Sequence, residues 1–274
     1  MSLRILKRIC LIFKLNTIHL TWRIITGLVF KLKMEELITQ RRRNIIGKKV
    51  YLFYNGKVAY GLFQGLTIPE QSAWSGSMDT GPKILGTYEK QVQLWISERN
   101  FRSIVFLDIG AADGYFALGL ITSKIAKLTI AYEISQNDRN AIKSLSVQNG
   151  ISNKIALKGE AMTSSIIDEL KNRKIDLILI DIEGGEYDLV NRELLFAAQN
   201  SFLIIEIHRY GTRNSLAEFR ALCETFHKVE ELNDFEKKIP RDIFTENLTD
   251  NERMLLLSEG RAYAMTWFAL SPRS

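Results

Sequence analysis

Cysteine is nearly absent from this chain: Cys10 and Cys223 are the only two, far apart and without a CxxC pair. That usage excludes a disulfide framework, gives no zinc motif and fits a reducing compartment. Histidine is as scarce, and His19, His208 and His227 are too scattered to make a local metal motif. Internal repeats and low-complexity tracts are missing too. A long apolar run is missing from the N-terminal arm, whose longest charge-free stretch is LNTIHLTW, eight residues. A spanning helix needs about 20. Lys14 breaks any signal-peptide core and no small-residue cleavage site follows, so neither a membrane span nor a secretory leader is expected. Acids are absent before Glu35.

What is present is a chain of 274 residues, 46% hydrophobic, with a net charge of +6. The length suits one α/β domain of roughly 200 residues with an extension. The charge is unevenly placed. Residues 1–49 hold 12 Lys/Arg against Glu35 and Glu36, or +10; the remainder holds 25 basic and 29 acidic residues, or −4. A basic, apolar arm over residues 1–33 suits an anionic membrane surface, with Trp22 and the leucines inward and the cations outward. The same pattern suits a helix packed on its own domain or on a second subunit. Arg41–Arg43 is a short basic run with no aromatic platform beside it, which ranks nucleic acid low.

Three regions follow from the patterning: 1–48, a basic helical arm; 49–100, a β-hairpin, a loop or lid and a leading helix; 101–274, the main domain. Asn55-Gly56 between β-rich segments predicts a hairpin with a type I′ turn. Residues 64–82 lack periodicity and read as a lid or binding loop. Ile84, Leu85, Tyr88, Val92 and Ile96 then mark one helix face. From Ser103 the chain alternates: SIVFLDIG, LTIAYEI, NKIALKG, IDLILID and FLIIEIH as strands, with helical segments between them. A last strand is expected in RAYAMTWFAL, and residues 233–254 read as a polar excursion. The succession predicts a doubly wound, mostly parallel, Rossmann-like sheet.

Ligands in such sheets sit beyond the carboxyl ends of the strands, and the polar residues of this chain gather there. The first strand delivers Asp108 and a turn with Gly110, Ala111, Ala112, Asp113 and Gly114, small enough for close backbone approach. The second ends at Glu133, 23 residues after Gly110, where a carboxylate can take both hydroxyls of a ribose. The third ends near Glu160, the fourth at Asp181 and Glu183, the fifth at Glu206 and His208. Each has a plainer reading: a tight strand–helix turn needs glycine anyway, and Asp181 can serve as a helix cap. The recurrence at successive strand ends points to a nucleoside-containing ligand.

The segments DIGAADGYFALGL, AYEISQNDRNAIKSLSVQNG, LILIDIEGGEYDLV and FLIIEIH resemble the FkbM-type methyltransferases, a branch of the class I S-adenosylmethionine-dependent enzymes. The resemblance covers residues 103–208, and YGLFQGL and ILGTYEKQV resemble the leading portion of relatives encoded with surface-polysaccharide genes. It implies that Asp108 and the turn Gly110, Ala111 and Gly114 hold the methionine part of S-adenosylmethionine, Glu133 the ribose and Glu160 the adenine side. Asp181 would face the amino group or the sulfonium. His208 is the first candidate for a general base, as an ordinary imidazole can take a hydroxyl proton, and Glu183 the second. Asp181, Glu183, Glu206 and His208 could also supply ligands to Mg²⁺, but no established metal spacing is present and no metal is assigned. Gly185 departs from the aromatic or aliphatic residue the family commonly has there.

The activity expected is O-methylation of a saccharide or glycolipid precursor, lipid-linked or free, in the cytoplasm or at the inner membrane surface. A nicotinamide-dependent dehydrogenase would show G-x-G-x-x-G where this chain has GAADGY. A non-catalytic nucleoside-binding scaffold would retain cofactor binding without transfer. The acidic balance of residues 50–274 argues against a nucleic-acid partner.

Overall fold

The computed structural model describes residues 33–72, 76–208, 213–233, 237–261 and 265–273. The chain forms two units, Met1–Arg43 and Asn44–Ser274. In the first, residues 33–43 are helical; residues 1–32, to which the membrane-surface expectation belongs, lie outside the described residues. No helix among the described residues is long and apolar enough to cross a membrane.

The second unit opens on helical residues 44–53 (α1) where a hairpin was expected. Asn55 and Gly56 do take the positive φ values that a type I′ turn would need, 53° and 66°. They use them to end a helix. The Gly56 N–H bonds back to the Tyr51 carbonyl at 2.9 Å and the Asn55 N–H to that of Leu52 at 3.4 Å, the paired bonds of a left-handed helix terminus. The same two residue types serve both devices, so the hairpin reading fails on what precedes them: Ile46 and Val50, one helical turn apart, are both buried.

Short helices α2 (Thr80–Ile84) and α3 (Lys90–Glu98) lead into the sheet. The predicted alternation then appears as β1 (Ile104–Ile109), α4 (Tyr115–Thr122), β2 (Ala126–Tyr132), α5 (Gln136–Gln148), β3 (Ile155–Lys158), α6 (Thr163–Asn172), β4 (Leu177–Ile180), α7 (Glu186–Leu189), α8 (Arg192–Ala197), β5 (Phe202–Ile207) and α9 (Arg213–Phe226). Two further strands close the sheet, β6 (His227–Asn233) and β7 (Thr266–Pro272), with α10 (Asp250–Leu257) between them. The strand order is β3-β2-β1-β4-β5-β7-β6. Strands β1 to β5 are parallel, and β7 runs antiparallel to both β5 and β6.

The period of two in the strands splits the core between the faces of the sheet. Phe106, Leu177, Leu179 and Ile204 pack on one side with Leu118, Ile142 and Trp267. Leu107, Ile109, Ile178, Ile180 and Ile205 pack on the other with Leu194, Leu195 and Phe219. Central strands covered on both faces need apolar residues throughout, which is why LILI is wholly buried. The strand order reverses at β1/β4, so the crevice for a ligand opens above Asp108 and Asp181.

β6 escaped the sequence reading because it is an edge strand with no apolar alternation: in HKVEELN only His227 and Leu232 are buried. The polar excursion ends within α10, whose Thr249–Glu252 capping box was hidden among acids.

Candidate active site

A cavity of about 730 Å³ lies across the carboxyl ends of the strands. Its wall includes Gly110, Ala112 and Asp113 from the β1 turn, Glu133 and Ile134 after β2, and Glu160 after β3. Asp181, Ile182 and Glu183 follow from β4, and Glu206 and His208 from β5. Of the residues singled out from sequence, Gly110, Glu133, Glu160, Asp181, Glu183 and His208 thus share one cavity. Asp108, Ala111 and Gly114 do not line it.

The β1 turn is built for close approach. Gly110 has φ +88°, and a Cβ there would meet the Asp181 carbonyl oxygen at 1.7 Å. The N–H groups of Gly110 and Ala111 bond the Tyr132 carbonyl, which leaves Ala112 at φ 47° to turn its N–H outward. Glu133 receives that N–H at 2.8 Å on one carboxylate oxygen and the Ser135 N–H at 2.7 Å on the other. One acid therefore fixes both the glycine turn and the start of α5.

Asp108 is 1% exposed, and its Oδ2 has no hydrogen-bond partner. Burial, then the neighbouring Glu133 charge, push its carboxyl up to about 8, against a hydrogen bond from the Ala117 backbone that lowers it. The sign for stability follows. The unfolded carboxyl ionises near 3.8, so between about pH 4 and 8 the folded state binds more protons and stability falls as pH rises. Asp108→Asn keeps the shape and removes the charge. We expect it to flatten that decline and to raise the melting temperature at pH 8.5 by roughly 5 °C, on the order of 1–3 kcal/mol. Thermal melts of both proteins from pH 5 to 8.5 check this; an unchanged pH slope would contradict it. Asp181 and Glu89 are raised in the same sense by burial, so only part of the decline is removed.

The other half of the cavity holds a ring of carboxylates about two cations. His208 is 4% exposed. Its Nδ1 lies 3.1 Å from Glu186 Oε1, and its Nε2 lies 3.3 Å from Glu183 Oε2 and 3.4 Å from Glu206 Oε2. Burial alone would lower its pKa, but the bonds to Glu183 and Glu186 and the Glu206 charge carry it up to about 10. In this arrangement His208 is an imidazolium at neutral pH. The expectation of a neutral imidazole acting as base is therefore revised: both ring nitrogens face carboxylates. Glu183, whose side chain is 61% exposed, is the carboxylate of this group open to an incoming substrate.

Arg261 is the second cation. Its guanidinium binds Glu206 Oε1, Glu89 Oε1 at 2.7 Å and Glu259 Oε2 at 2.9 Å. Burial, then Glu206, hold Asp181 well above the ordinary carboxyl range. Glu186 is 0% exposed and accepts the N–H groups of Ile182 at 2.9 Å and Gly184 at 3.0 Å, as well as facing His208. The β4–α7 loop and the end of β5 are tied together through this one side chain. Across the cavity, buried Lys83 pairs with Asp113 at 2.5 Å and lies over the Tyr88 ring at 4.9 Å.

Residues 119–237 match the methyltransferase FkbM domain. The matched stretch, which runs from α4 to just beyond β6, marks the chain as an S-adenosylmethionine-dependent methyltransferase. Among solved structures it is similar to the ribosomal protein L11 methylase of Lactobacillus delbrueckii subsp. bulgaricus, at 18% identity over 68% of this chain and 78% of that one, TM-score 0.43. It is also similar to the precorrin-6y C5,15-methyltransferase of Geobacter metallireducens GS-15, at 14% identity over 68% and 87%, TM-score 0.43. No curated protein matches by sequence. Likenesses this distant do not bear on what the enzyme methylates.

The cavity of this methyltransferase fits a nucleoside with a charged amino-acid tail. The unpartnered Asp108 Oδ2 sits under the turn, a Cβ at Gly110 would fill the cradle, and Ile134 leaves 70% of its surface exposed on the wall beside Glu133. At Gly185 a Cβ would meet Ile182 Cδ1 at 2.9 Å, so the missing side chain leaves room for Ile182.

Lys83, Tyr88, Glu89, Glu186, Glu259 and Arg261 were not assigned roles from sequence. Glu186 carried a signal, as the second acid of the Glu-Gly-Gly-Glu run, Glu183 to Glu186, entering a helix. Of the other five, Lys83 lies in α2, Tyr88 and Glu89 in the turn before α3, and Glu259 and Arg261 in the segment preceding β7.

Proposed function

We propose that this methyltransferase transfers a methyl group to a hydroxyl of a saccharide or glycolipid precursor. The observation that supports this is the acceptor half of the cavity: Asp181, Glu183, Glu206 and Glu259 line it together, and carboxylates accept hydrogen bonds from several hydroxyls at once. An acidic substrate or a nucleic-acid phosphate would meet like charge there, and the −4 balance of residues 50–274 acts in the same direction.

Bound S-adenosylmethionine supplies a methyl group on a positively charged sulfur. Gly110, Ala112, Glu133 and Glu160 would hold it, and Asp181 would face its reacting end. The chain's part is alignment and proton handling. Alignment of oxygen and methyl carbon at near-contact distance is itself a large source of rate. The Glu183 carboxylate takes the hydroxyl proton, while protonated His208, fixed by Glu186, orients that carboxylate.

The basic arm of residues 1–33 supports a lipid-linked acceptor at the inner membrane face. The test is transfer of labelled methyl from S-adenosylmethionine to a soluble oligosaccharide and to a lipid-linked saccharide in anionic vesicles. Both the full chain and a chain starting at Met34 are assayed. The expected result is label on oxygen, with the vesicle-bound acceptor preferred by the full chain alone. Label on nitrogen or on nucleic acid would overturn the substrate class, and equal vesicle partitioning of the two chains would overturn the arm's role.

A further inference from the structure

We propose that Asp181, Glu206 and His208 form a divalent-cation site in the acceptor half of the cavity. One ligand atom from each, a carboxylate oxygen from the two acids and a ring nitrogen from the histidine, all lie within 4.8 Å of one another. The decisive distance is His208 Nε2 to Glu206 Oε2, 3.4 Å. That is long for a charged hydrogen bond, which runs at about 2.7–2.9 Å. It suits two ligands sharing an ion at about 2.1 Å each, which by simple geometry stand roughly 3.0–3.5 Å apart.

Three further observations converge on the same point. Asp181 Oδ1 is buried with no hydrogen-bond partner; a cation completes it. His208 Nδ1 is held by Glu186, whose carboxylate is itself fixed by the Ile182 and Gly184 N–H groups. A carboxylate that holds one ring nitrogen and aims the other inward is the support that metal-binding histidines commonly have. Finally, Arg261 engages Glu206 through Oε1 and is shared with Glu89 and Glu259, so Oε2 remains turned toward His208. Two carboxylates and one imidazole suit Mn²⁺ or Zn²⁺ better than Mg²⁺, whose preferred ligands are all oxygen.

Binding would displace the Nε2 proton, so the cation takes the place that the imidazolium charge has in the metal-free site; what it then does rests on the methyltransferase reading, and whether it binds does not. An acceptor hydroxyl held beside it becomes more acidic. Its oxygen forms the bond to methyl carbon as the carbon–sulfur bond breaks, sulfur keeps that electron pair and becomes a neutral thioether, and the proton goes to Glu183.

The experiment is titration of chelator-stripped, full-length protein with Mn²⁺ alone, followed by electron paramagnetic resonance, with S-adenosylhomocysteine binding measured on the same samples. The expected result is one Mn²⁺ per chain carrying a nitrogen hyperfine coupling. His208→Gln should lose that coupling, Glu206→Gln should lose stoichiometric binding, and Glu186→Gln should weaken binding roughly 10–100-fold. Wild-type protein that binds S-adenosylhomocysteine but no Mn²⁺ would overturn the cation site and leave the cofactor reading standing. Undiminished Mn²⁺ binding in Glu206→Gln and His208→Gln would overturn it too. Mn²⁺ bound with the nitrogen coupling but no S-adenosylhomocysteine would support the cation site and count against the cofactor reading.

Discussion

Gly110→Ala should abolish S-adenosylhomocysteine binding and destabilise the fold by at least about 3 kcal/mol. Two separate costs arise at this position. At φ +88° an alanine Cβ is strained by the backbone itself, and that Cβ would stand 1.7 Å from the Asp181 carbonyl oxygen. A flexible side chain could move away from such a contact. A carbonyl at the end of a central strand cannot, because β4 is paired on both sides, to β1 and to β5. The turn must shift instead, and it carries Ala112 out of reach of Glu133. Gly159→Ala is the matched comparison: Gly159 also lines the cavity, but a Cβ there meets nothing within 4 Å. Urea unfolding should show the loss for Gly110→Ala and none for Gly159→Ala. Equal stability of the two would contradict the role given to the turn.

Glu133→Gln should weaken S-adenosylhomocysteine binding about 100-fold and lower stability by about 1–3 kcal/mol. The carboxylate accepts from Ala112 and Ser135, one N–H on each oxygen, and it faces the cavity with lone pairs left over. A glutamine keeps one acceptor oxygen and turns the other position into a donor, which repels the Ala112 or Ser135 N–H and offers a ribose hydroxyl a poorer partner. Two charge-assisted hydrogen bonds weakened by about 1.5 kcal/mol each give that factor. Calorimetry on the variant checks the affinity, and its melting curve separates binding from folding. Unchanged affinity would place the ribose elsewhere in the cavity.

The parallel sheet was legible in the sequence because its central strands β1, β4 and β5 are covered on both faces. Such strands must be apolar from end to end, and the five runs stand out between helical segments. The strand-end acids were legible for the complementary reason: Asp108, Glu133, Asp181 and Glu206 interrupt apolar runs at the carboxyl ends. Asn55-Gly56 misled because positive φ at two successive residues ends a helix as readily as it turns a hairpin. The state of His208 was not legible at all. It depends on Glu183 and Glu186, which are contributed by a different loop and brought to the ring only by the pairing of β4 with β5. Arg261 and Glu89 were hidden in the same way, 172 positions apart in the chain and 2.7 Å apart in the fold.

Binding of S-adenosylmethionine at the strand ends of this chain is tested most directly by calorimetric titration of the folded full-length protein with S-adenosylhomocysteine in chelator. Micromolar, one-to-one binding that Asp108→Ala and Glu133→Ala both lose is the predicted result. A folded protein that gives no heat, or binding that survives both substitutions, would contradict it.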